Sequence, residues 1–470
     1  MFSDYPATKI LSDLERDDLL PAILFRSARK QCDQDIEKLE GSNKLRLRDA
    51  ERQKIEGEIA AVIQKYGFEP DVITGHAHYG ALLETGAGAH HAGQLLMWRL
   101  LLEELMSRGA LRLLIATGTV AAGVDFPART VVITAHSKRG NEGFNVLSSA
   151  EFQQMSGRAG RRGKDTVGIC VVAPSRFSDA RIIAEVSKRP PEPLRSAYFA
   201  APSTVLNLLK YRNVDDLRYT VSRSLAAFLD RKAAGVIRDE TGGEITDLEN
   251  GSELRADLKK RLEKRIRRKM RDAEILEARQ ETLLLETLSC LQKLGHLEGD
   301  SLSAKGYWAA ELCTTLVLEL AEAIHEGLFY DLSVPELVGL VASIAGDAHR
   351  VYYSLSRNPI KKEYFSKLQG IVERVREVYP RAANSELKVV PDAALTAMAW
   401  MEAKDWGEFS GLLRLGGVAE GDVARLISQT ADHLNQISKL IESHPPLAQA
   451  AAEGRKLILK PPLSEALPVD

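Results

Sequence analysis

The segment QMSGRAGRRG, from Gln154 to Gly163, has the composition of a phosphate-binding loop. Glycines separate Gln154, Arg158 and Arg161, and Arg162 adds a further guanidinium group. Guanidinium groups are always charged and can hold phosphate oxygens with two hydrogen bonds, and glycines let a backbone approach a neighbouring surface. An arginine directed at a γ-phosphate accelerates phosphoryl transfer by roughly 10³ or more. The pattern therefore predicts one side of a nucleotide site. The alternative, a solvated basic turn, does not explain why QxxGRxGR follows an α/β segment.

A second candidate loop lies in ATGTVAAGVDFPARTVVI, from Ala116 to Ile133. Thr117, Gly118 and Thr119 follow an apolar run, and ligands bind at the strand ends of parallel sheets. Hydroxyl groups and backbone amides at such a strand end can hold phosphates. Asp125, in a Gly-Val-Asp turn, could couple this loop to the nucleotide site. The alternative is an ordinary loop between a strand and a helix; the short distance to the arginine segment favours a functional loop.

The elements that must position these loops are predicted from short apolar runs. Four runs are rich in branched residues and apolar on both faces, which is typical of buried strands in a parallel sheet. They are LPAILF (Leu20 to Phe25), LRLLIA (Leu111 to Ala116), TVVIT (Thr130 to Thr134) and VGICVV (Val167 to Val172). Helical stretches alternate with these runs, so the sequence predicts an α/β fold, a parallel sheet with flanking helices. We expect the charged segment from about Asp33 to Tyr66 to be a solvated insertion.

The composition changes after the predicted sheet. The stretch KRPPEPLRSAYFAAPS, from Lys188 to Ser203, carries four prolines and indicates a connection between domains. Beyond it helical patterns dominate. From Leu254 to Met270 apolar residues recur every four positions in a segment otherwise crowded with lysine and arginine, which predicts a long charged helix.

The bulk composition is that of a globular protein with several domains. The 470 residues have a formal net charge of -2, so any nucleic-acid binding needs local basic patches. The four cysteines form no Cys-x-x-Cys pair, which argues against a disulfide framework or a zinc site and favours a reducing compartment. The sequence shows neither a signal peptide nor an apolar run of membrane-spanning length, so we expect a cytoplasmic protein without membrane contact.

These segments resemble the second RecA-like domain of superfamily-two DExH helicases, specifically the superkiller and exosome-associated RNA helicase group. PAILFRSARKQC (Pro21 to Cys32) is similar to motif IV of that group, and GAGAHHAG (Gly86 to Gly93) to its His-His-Ala-Gly segment. The two loops described above are similar to motifs V and VI. HSKRGNEGFNVLSSAEF, residues 136–152, lies where such enzymes place a hairpin that helps to part strands.

The resemblance continues through most of the remaining chain. LGHLEGDSLSAKGYWAAEL (Leu294 to Leu312) resembles the end of the winged-helix domain of the family. Gly327 to Ile344 and Gly421 to Ile437 resemble its C-terminal helical domain, of the DSHCT type. The implied domains are a RecA-like domain at residues 1–198, a winged-helix region at 199–306 with a charged helical insertion at about 235–280, and a helical bundle at 307–470.

The resemblance also implies roles for individual residues. It assigns Gln154, Arg158 and Arg161 to ATP, with Arg161 as the arginine finger, and Gly123 and Asp125 to the nucleotide side of motif V. Six positions are implied to hold nucleic acid: Ser27, Arg29, Thr117, Gly118, Thr119 and His91. The sequence departs from the family in two respects. The family often has asparagine where Asp125 stands, and the basic helix around Lys259 to Arg271 occupies the region of its long arch insertion.

Other candidate sites carry weaker signals. Four histidines lie close in sequence, but no carboxylate or thiol completes a ligand set, so no metal site is predicted. These are His76, His78, His90 and His91. The run LKKRLEKRIRRKMR could contact phosphates, although such runs usually form a solvated helix face. Trp400 and Trp406 could stack on bases, but aromatic residues at helical spacing are more often part of a core.

Two motifs that such a motor needs do not occur in the sequence. These are the phosphate loop GxxxxGK[ST] and the acidic strand-end motif that holds Mg²⁺. The one Gly-Lys pair, Gly163-Lys164, is followed by Asp165, and the one Asp-Glu pair, Asp239-Glu240, lies after motif VI. We therefore expect ATP and Mg²⁺ to be held mainly by a separate RecA-like domain that bears a phosphate loop. Residues 1–470 alone are expected neither to bind ATP tightly nor to hydrolyse it.

Three functional hypotheses follow. The first is the C-terminal half of an ATP-dependent RNA helicase, with RNA, a phosphate-loop domain and RNA-degradation machinery as partners. The second is a non-enzymatic RNA-binding or adaptor protein derived from a helicase. The third is a fragment of a DNA repair helicase, since motifs V and VI do not separate RNA from DNA. The DSHCT-like C-terminus favours RNA.

Overall fold

The computed structural model describes residues 4–118, 128–140, 143–175, 178–250, 256–354, 358–379 and 387–464. The strands are β1 Ala22–Arg26, β2 Ala87–His90, β3 Leu113–Thr117, β4 Thr130–Ile133, β5 Ser137–Gly140, β6 Gly143–Val146, β7 Ile169–Val172, β8 Leu297–Glu298 and β9 Ser301–Leu302. The first ten helices are α1 Ala7–Arg16, α2 Arg29–Glu40, α3 Asp49–Tyr66, α4 Pro70–Thr74, α5 Tyr79–Thr85, α6 Leu96–Ser107, α7 Ser149–Ser156, α8 Ala180–Lys188, α9 Pro202–Leu209 and α10 Val214–Ser222. The remaining helices are α11 Leu225–Asn250, α12 Ala256–Lys293, α13 Ala304–Ala309, α14 Val317–His325, α15 Val334–Ala345, α16 Lys362–Val378, α17 Pro391–Glu402, α18 Trp406–Leu415, α19 Glu420–Ser438 and α20 Pro445–Ile458.

A five-stranded sheet in the order β2-β3-β1-β4-β7 organises the N-terminal part, and all its pairings are parallel. Alternate residues of β1 enter two separate cores: Ile23 and Phe25 face one, and Ala22 and Leu24 face the other. Since successive strand side chains point to opposite faces, both faces of the sheet are covered by helices. The predicted parallel sheet with flanking helices, followed by a mostly helical region, is confirmed.

The edge strand β2 is absent from the sequence prediction. Its residues, AGAH, are small and lack the branched side chains that mark the other strands. The absence of a side chain at Gly88 allows α6 to pack closely on β2, because a Cβ there would lie 2.5 Å from the Cδ2 atom of Leu102 in α6. Helix α6 therefore lies against β2 more closely than a larger residue at position 88 would permit.

The expectation of a solvated insertion from Asp33 to Tyr66 is wrong. Helix α2 buries Cys32, Ile36 and Leu39 in the core on one side of the sheet. Helix α3 buries Ile55, Ile59 and Val62 in the core on the other side. In both helices most of the charged residues lie on the outward face; Asp35 of α2 is buried and paired with Arg26 at 2.7 Å.

A β-hairpin lies between the sheet strands β4 and β7, and a proline-rich segment follows α8. Strands β5 and β6 pair in antiparallel register within residues 137–146, where the resemblance implied a hairpin. Residues 189–201 contain neither helix nor strand and join α8 to α9.

The charged insertion is a two-helix hairpin. Helices α11 and α12 run antiparallel: Asp230 lies near Arg279, and Glu244 lies near Lys269 and Arg265. Glu244 therefore pairs with two cations of the basic run. Helix α12 packs on α9 and α10 and is followed by the short β8-β9 pair. The winged-helix region at 199–306 stays a prediction.

Helices α14 to α20 form the C-terminal bundle. Trp400 and Trp406 lie in its core with Phe409, and the Nε1 group of Trp400 donates to the carbonyl of Ile458. The interpretation of both tryptophans as core residues is confirmed. Within the described residues, no helix is long enough and apolar enough to cross a membrane.

Candidate functional site

A cavity of about 390 Å³ lies at the carboxyl edge of the sheet, where β1, β3 and β4 end. Ser27 follows β1, Gly118 follows β3, and both line the cavity with Thr117. Gln154 of α7 lines it from the opposite side. The structure thus brings together three residues implied to hold nucleic acid and one implied to contact ATP. Whether they bind these ligands stays a prediction.

Helix α7 presents Gln154, and its N-terminus is fixed from two directions. The hydroxyl of Ser148 accepts from the amide of Glu151, whose carboxylate accepts from the amide of Ser148 in return. The Glu192 carboxylate, from the connection after α8, accepts from the first two amides of the helix, at 2.9 and 3.1 Å. Hydrogen bonds from backbone amides, that of Ala150 first, lower the pKa of Glu192. The helix that carries Gln154 is thereby anchored to the segment that joins α8 to α9.

Backbone hydrogen bonds hold the arginine segment beside the sheet. The amide of Gly160 donates to the carbonyl of Ala128 at 2.7 Å, and the amide of Ala128 donates to the carbonyl of Arg158 at 2.9 Å. Gly160 has a φ of 92°, which side-chain-bearing residues rarely adopt. A Cβ at Gly168 would lie 2.3 Å from the carbonyl oxygen of Ala159. Glycine is therefore required at positions 160 and 168, where the arginine segment lies against the backbone that leads into β7.

Arg161 is paired with Asp165 in the turn that follows. Its Nε donates to Oδ2 at 2.8 Å and its Nη2 to Oδ1 at 2.9 Å, while its backbone amide also donates to Oδ2. These hydrogen bonds hold the pKa of Asp165 well below its usual range and raise the pKa of Arg161. The pair uses only one edge of the guanidinium group, so Nη1 and the second hydrogen of Nη2 point away from Asp165.

The other predicted nucleotide contacts differ in accessibility. Gln154 and Arg162 are exposed, and Arg158 is partly exposed. Thr119, Gly123 and Asp125 lie outside the described residues.

Of the residues implied to hold nucleic acid, His91 is buried and Arg29 is partly buried, with 27% of its side chain exposed. The Nη1 group of Arg29 donates to both carboxylate oxygens of Asp422 in α19, at 2.8 and 3.0 Å. His91 is 3% exposed. Its Nδ1 accepts from the amide of Gly93, so Nε2 carries the proton and donates to Asp33 at 2.9 Å. Neither residue lines the cavity that Ser27 and Thr117 line.

The remaining histidines of the group have structural contacts. The ring of His76 stacks on Trp98 at 3.8 Å, and burial lowers its pKa to about 3. His90 hydrogen-bonds Glu103 at 2.6 Å. In the part of the chain that the structure describes, no group of three or more His, Cys, Asp or Glu residues could hold a metal ion.

Four residues of this region were not identified from the sequence: Asp165, Glu192, Gly421 and Asp422. The spacing of Asp165 from Arg161, one helical turn, is a signal that could have found that pair. The partners of the others lie in distant parts of the chain, and no local pattern marks them.

Comparison with known proteins gives two family matches. Residues 87–163 match the helicase conserved C-terminal domain, and residues 299–466 match the DSHCT (NUC185) domain. The first match contains β2, the cavity-lining residues Thr117 and Gln154, and the arginine segment. The second contains the helical bundle.

Several curated proteins are similar to about half of the chain. Exosome RNA helicase MTR4 of Homo sapiens is 32% identical over 228 residues, 48% of this chain and 21% of that protein. Antiviral helicase SKI2 of Saccharomyces cerevisiae is 33% identical over 203 residues, 43% of this chain and 16% of that protein. Probable helicase HelY of Mycobacterium tuberculosis is 32% identical over 243 residues, 50% of this chain and 26% of that protein. The matched regions span about a quarter or less of these relatives.

Proposed function

We propose that this chain, which carries the helicase conserved C-terminal and DSHCT domains of superkiller and exosome-type DExH helicases, supplies the second half of an ATP-driven RNA motor. The observation that carries the proposal is the cavity at the sheet edge. Ser27, Thr117 and Gly118 line it from the strand ends, and Gln154 lines it from the helix that leads into the arginine segment. Nucleic-acid and nucleotide contacts would therefore share one rigid support.

The donor groups of the arginine segment suit a triphosphate. ATP supplies the phosphoanhydride bond that is broken, and Mg²⁺ neutralises phosphate charge when bound. Arg161 presents the guanidinium edge that Asp165 leaves unoccupied, and Arg158, three residues earlier in the sequence, supplies a second cation. Such preorganised charge stabilises the negative charge that develops on the transferred phosphoryl group.

The first half of the ATP site must come from another RecA-like domain. The sequence contains no phosphate loop, and backbone amides of such a loop hold the β- and γ-phosphates in motors of this class. We propose that ATP and Mg²⁺ are held by that domain and that the arginines of this chain act across the cleft.

RNA is the proposed nucleic acid. The relative MTR4 is named an exosome RNA helicase. We extend this substrate class to the present chain, with RNA-degradation machinery as the proposed partner. The missing phosphate loop keeps one alternative open, a non-enzymatic RNA-binding adaptor.

RNA binding with and without nucleotide separates these two functions. The full chain is mixed with a phosphate-loop-bearing RecA-like domain of a related helicase, and its affinity for single-stranded RNA is measured with and without a non-hydrolysable ATP analogue. A motor half predicts affinity that changes with the analogue and loses this response in the Arg158→Ala/Arg161→Ala variant. Arg181→Ala, at an exposed arginine of α8, is the matched control.

The adaptor alternative predicts a different pattern. Affinity would then be indifferent to nucleotide and to both arginines, but would fall when Ser27 and Thr117 are replaced by alanine. That outcome would contradict the motor proposal.

A further inference from the structure

The first turn of α19 rests directly on the backbone of the turn that follows β2, residues 91–94. The amide of Gly421 donates to the carbonyl of Gly93 at 2.9 Å. A Cβ at Gly421 would lie 2.5 Å from the carbonyl oxygen of Gln94, 2.6 Å from that of Ala92 and 2.8 Å from the carbonyl carbon of Gly93. These are backbone atoms, which cannot rotate away as the end of a side chain can. Only glycine permits this contact.

An ion pair beside Gly421 ties α19 to a second element of the RecA-like domain. Asp422 accepts two hydrogen bonds from Arg29, the first residue of α2, and its side chain is 10% exposed. Arg350 Nη1 lies 3.7 Å from Oδ2 of the same carboxylate. Removal of one partner would leave a largely buried charge without its hydrogen bonds, which is costly.

The turn that Gly421 contacts, residues 91–94, is held in place by hydrogen bonds to other parts of the RecA-like domain. Asp33 of α2 accepts from His91 at 2.9 Å and from the Gln94 side chain at 3.0 Å. The amide oxygen of Gln94 is hydrogen-bonded by His76 Nε2 at 2.8 Å. The turn after β2 and the start of α2 therefore form one hydrogen-bonded unit, and α19 contacts both parts of it.

A third contact joins the bundle to the same region. Arg414, in α18, donates from Nη2 to the carbonyl of Gly75 at 3.1 Å and to the hydroxyl of Ser410 at 3.0 Å. Gly75 precedes His76, whose side chain braces Gln94. Two helices of the bundle, α18 and α19, therefore contact the RecA-like domain, at residue 75, at the turn of residues 91–94 and at the start of α2.

We propose that Gly421 and Asp422 are positioning residues that lock the C-terminal bundle onto the RecA-like domain, so that the two move as one body. In this proposal Arg29 holds Asp422, and His91 holds the turn of residues 91–94 through Asp33; neither contacts nucleic acid. In a motor, movement of the sheet would then move α19 with it; this consequence rests on the proposed function. The lock itself does not, and the experiment therefore uses this chain alone.

Hydrogen exchange and calorimetry on the full chain test the lock. Gly421→Ala is compared with Gly370→Ala, a glycine of α16 whose added Cβ would meet no atom within 4 Å. We expect amide exchange in residues 91–94 and 420–424 to quicken by about tenfold or more in Gly421→Ala, as loss of a buried hydrogen bond and its neighbouring ion pair predicts. The single calorimetric transition expected for the parent chain should separate into two. The control should show neither effect.

A double-mutant cycle tests the ion pair even if Gly421→Ala does not fold. Arg29→Ala and Asp422→Ala should each quicken exchange in the same two segments, and the double variant should be no worse than the more severe single variant. RNA affinity should be unchanged by Arg29→Ala. Additive effects of the two substitutions, a Gly421→Ala chain that matches its control, or a loss of RNA affinity in Arg29→Ala with no change in exchange would overturn the proposal.

Discussion

At the scale of single residues, paired charges decide where the functional groups point. We propose that Arg161 stabilises the negative charge of the transition state. Asp165 sets the direction of its guanidinium group through two side-chain hydrogen bonds. The sequence predicts Arg161 because its motif is distinctive. Asp165 is not predicted, because an acidic residue one turn from an arginine is common on protein surfaces.

Substitution of Asp165 should impair hydrolysis more than nucleotide binding. In the complex with a phosphate-loop domain, Asp165→Asn keeps the shape but removes the charge that orients Arg161, so kcat for ATP should fall about tenfold with a smaller change in KM. Steady-state kinetics provide the measurement, and an unchanged melting temperature shows that the variant is folded. In an Arg161→Ala background the same change should have no further effect; an equal loss in both backgrounds would contradict a positioning role.

A buried carboxyl group in the bundle predicts a pH-dependent stability. Glu319 in α14 is 5% exposed, and burial raises its pKa to about 7 from its ordinary value of 4.5, against the opposing charge of Arg376. The folded state therefore binds the proton more tightly than the unfolded state. The contribution of Glu319 to stability is fully present below about pH 4.5 and is lost as the pH rises to about 7.

Glu319→Gln should remove this dependence. The free energy of unfolding of the variant, relative to the parent chain, should increase by about 3 kcal/mol between pH 4.5 and pH 7. Urea unfolding at several pH values provides the measurement, with the exposed Glu363→Gln as a control for the type of substitution. A constant difference across that range would show that Glu319 ionises normally in the folded chain.

At the scale of elements, burial on both faces made the sheet predictable. The runs that form β1, β3 and β4 are apolar throughout, because helices cover both sides of the sheet. Strand β2 lacked that signal because its small residues accommodate the close approach of α6. The buried stripes of α2 and α3 were concealed by the charges on their outer faces. The cavity residues Ser27, Thr117, Gly118 and Gln154 were predictable because each follows or faces a recognisable strand end.

One glycine of α13 should be intolerant of substitution. A Cβ at Gly306, in α13, would lie 2.1 Å from the carbonyl oxygen of His296, a backbone atom. Gly306→Ala should therefore lower the free energy of unfolding by about 2 kcal/mol or more. In contrast Gly242→Ala, in α11 with no atom within 4 Å of the added Cβ, should raise it by up to about 1 kcal/mol. Thermal unfolding of the two variants provides the test; similar shifts in both would contradict the close packing of α13 on His296.

At the scale of the whole molecule, the chain combines a cavity at the sheet edge, which we propose to be one half of a cleft, with a helical bundle that contacts the same domain. Its net charge of -2 gives no overall attraction for RNA, and Glu244 partly neutralises the basic run of α12. The proposed binding of RNA would therefore depend on local contacts such as those at the sheet edge. The ties between α19 and the RecA-like domain were not predictable, because their residues lie more than 300 positions apart in the sequence.

The rate of RNA-stimulated ATP hydrolysis by this chain together with a phosphate-loop-bearing RecA-like domain tests the central claim most directly. The account predicts a rate well above that of either component, lost by about 10³-fold in Arg161→Ala and retained in Arg181→Ala. A mixture no more active than the phosphate-loop domain alone, or one fully active with Arg161→Ala, would contradict it.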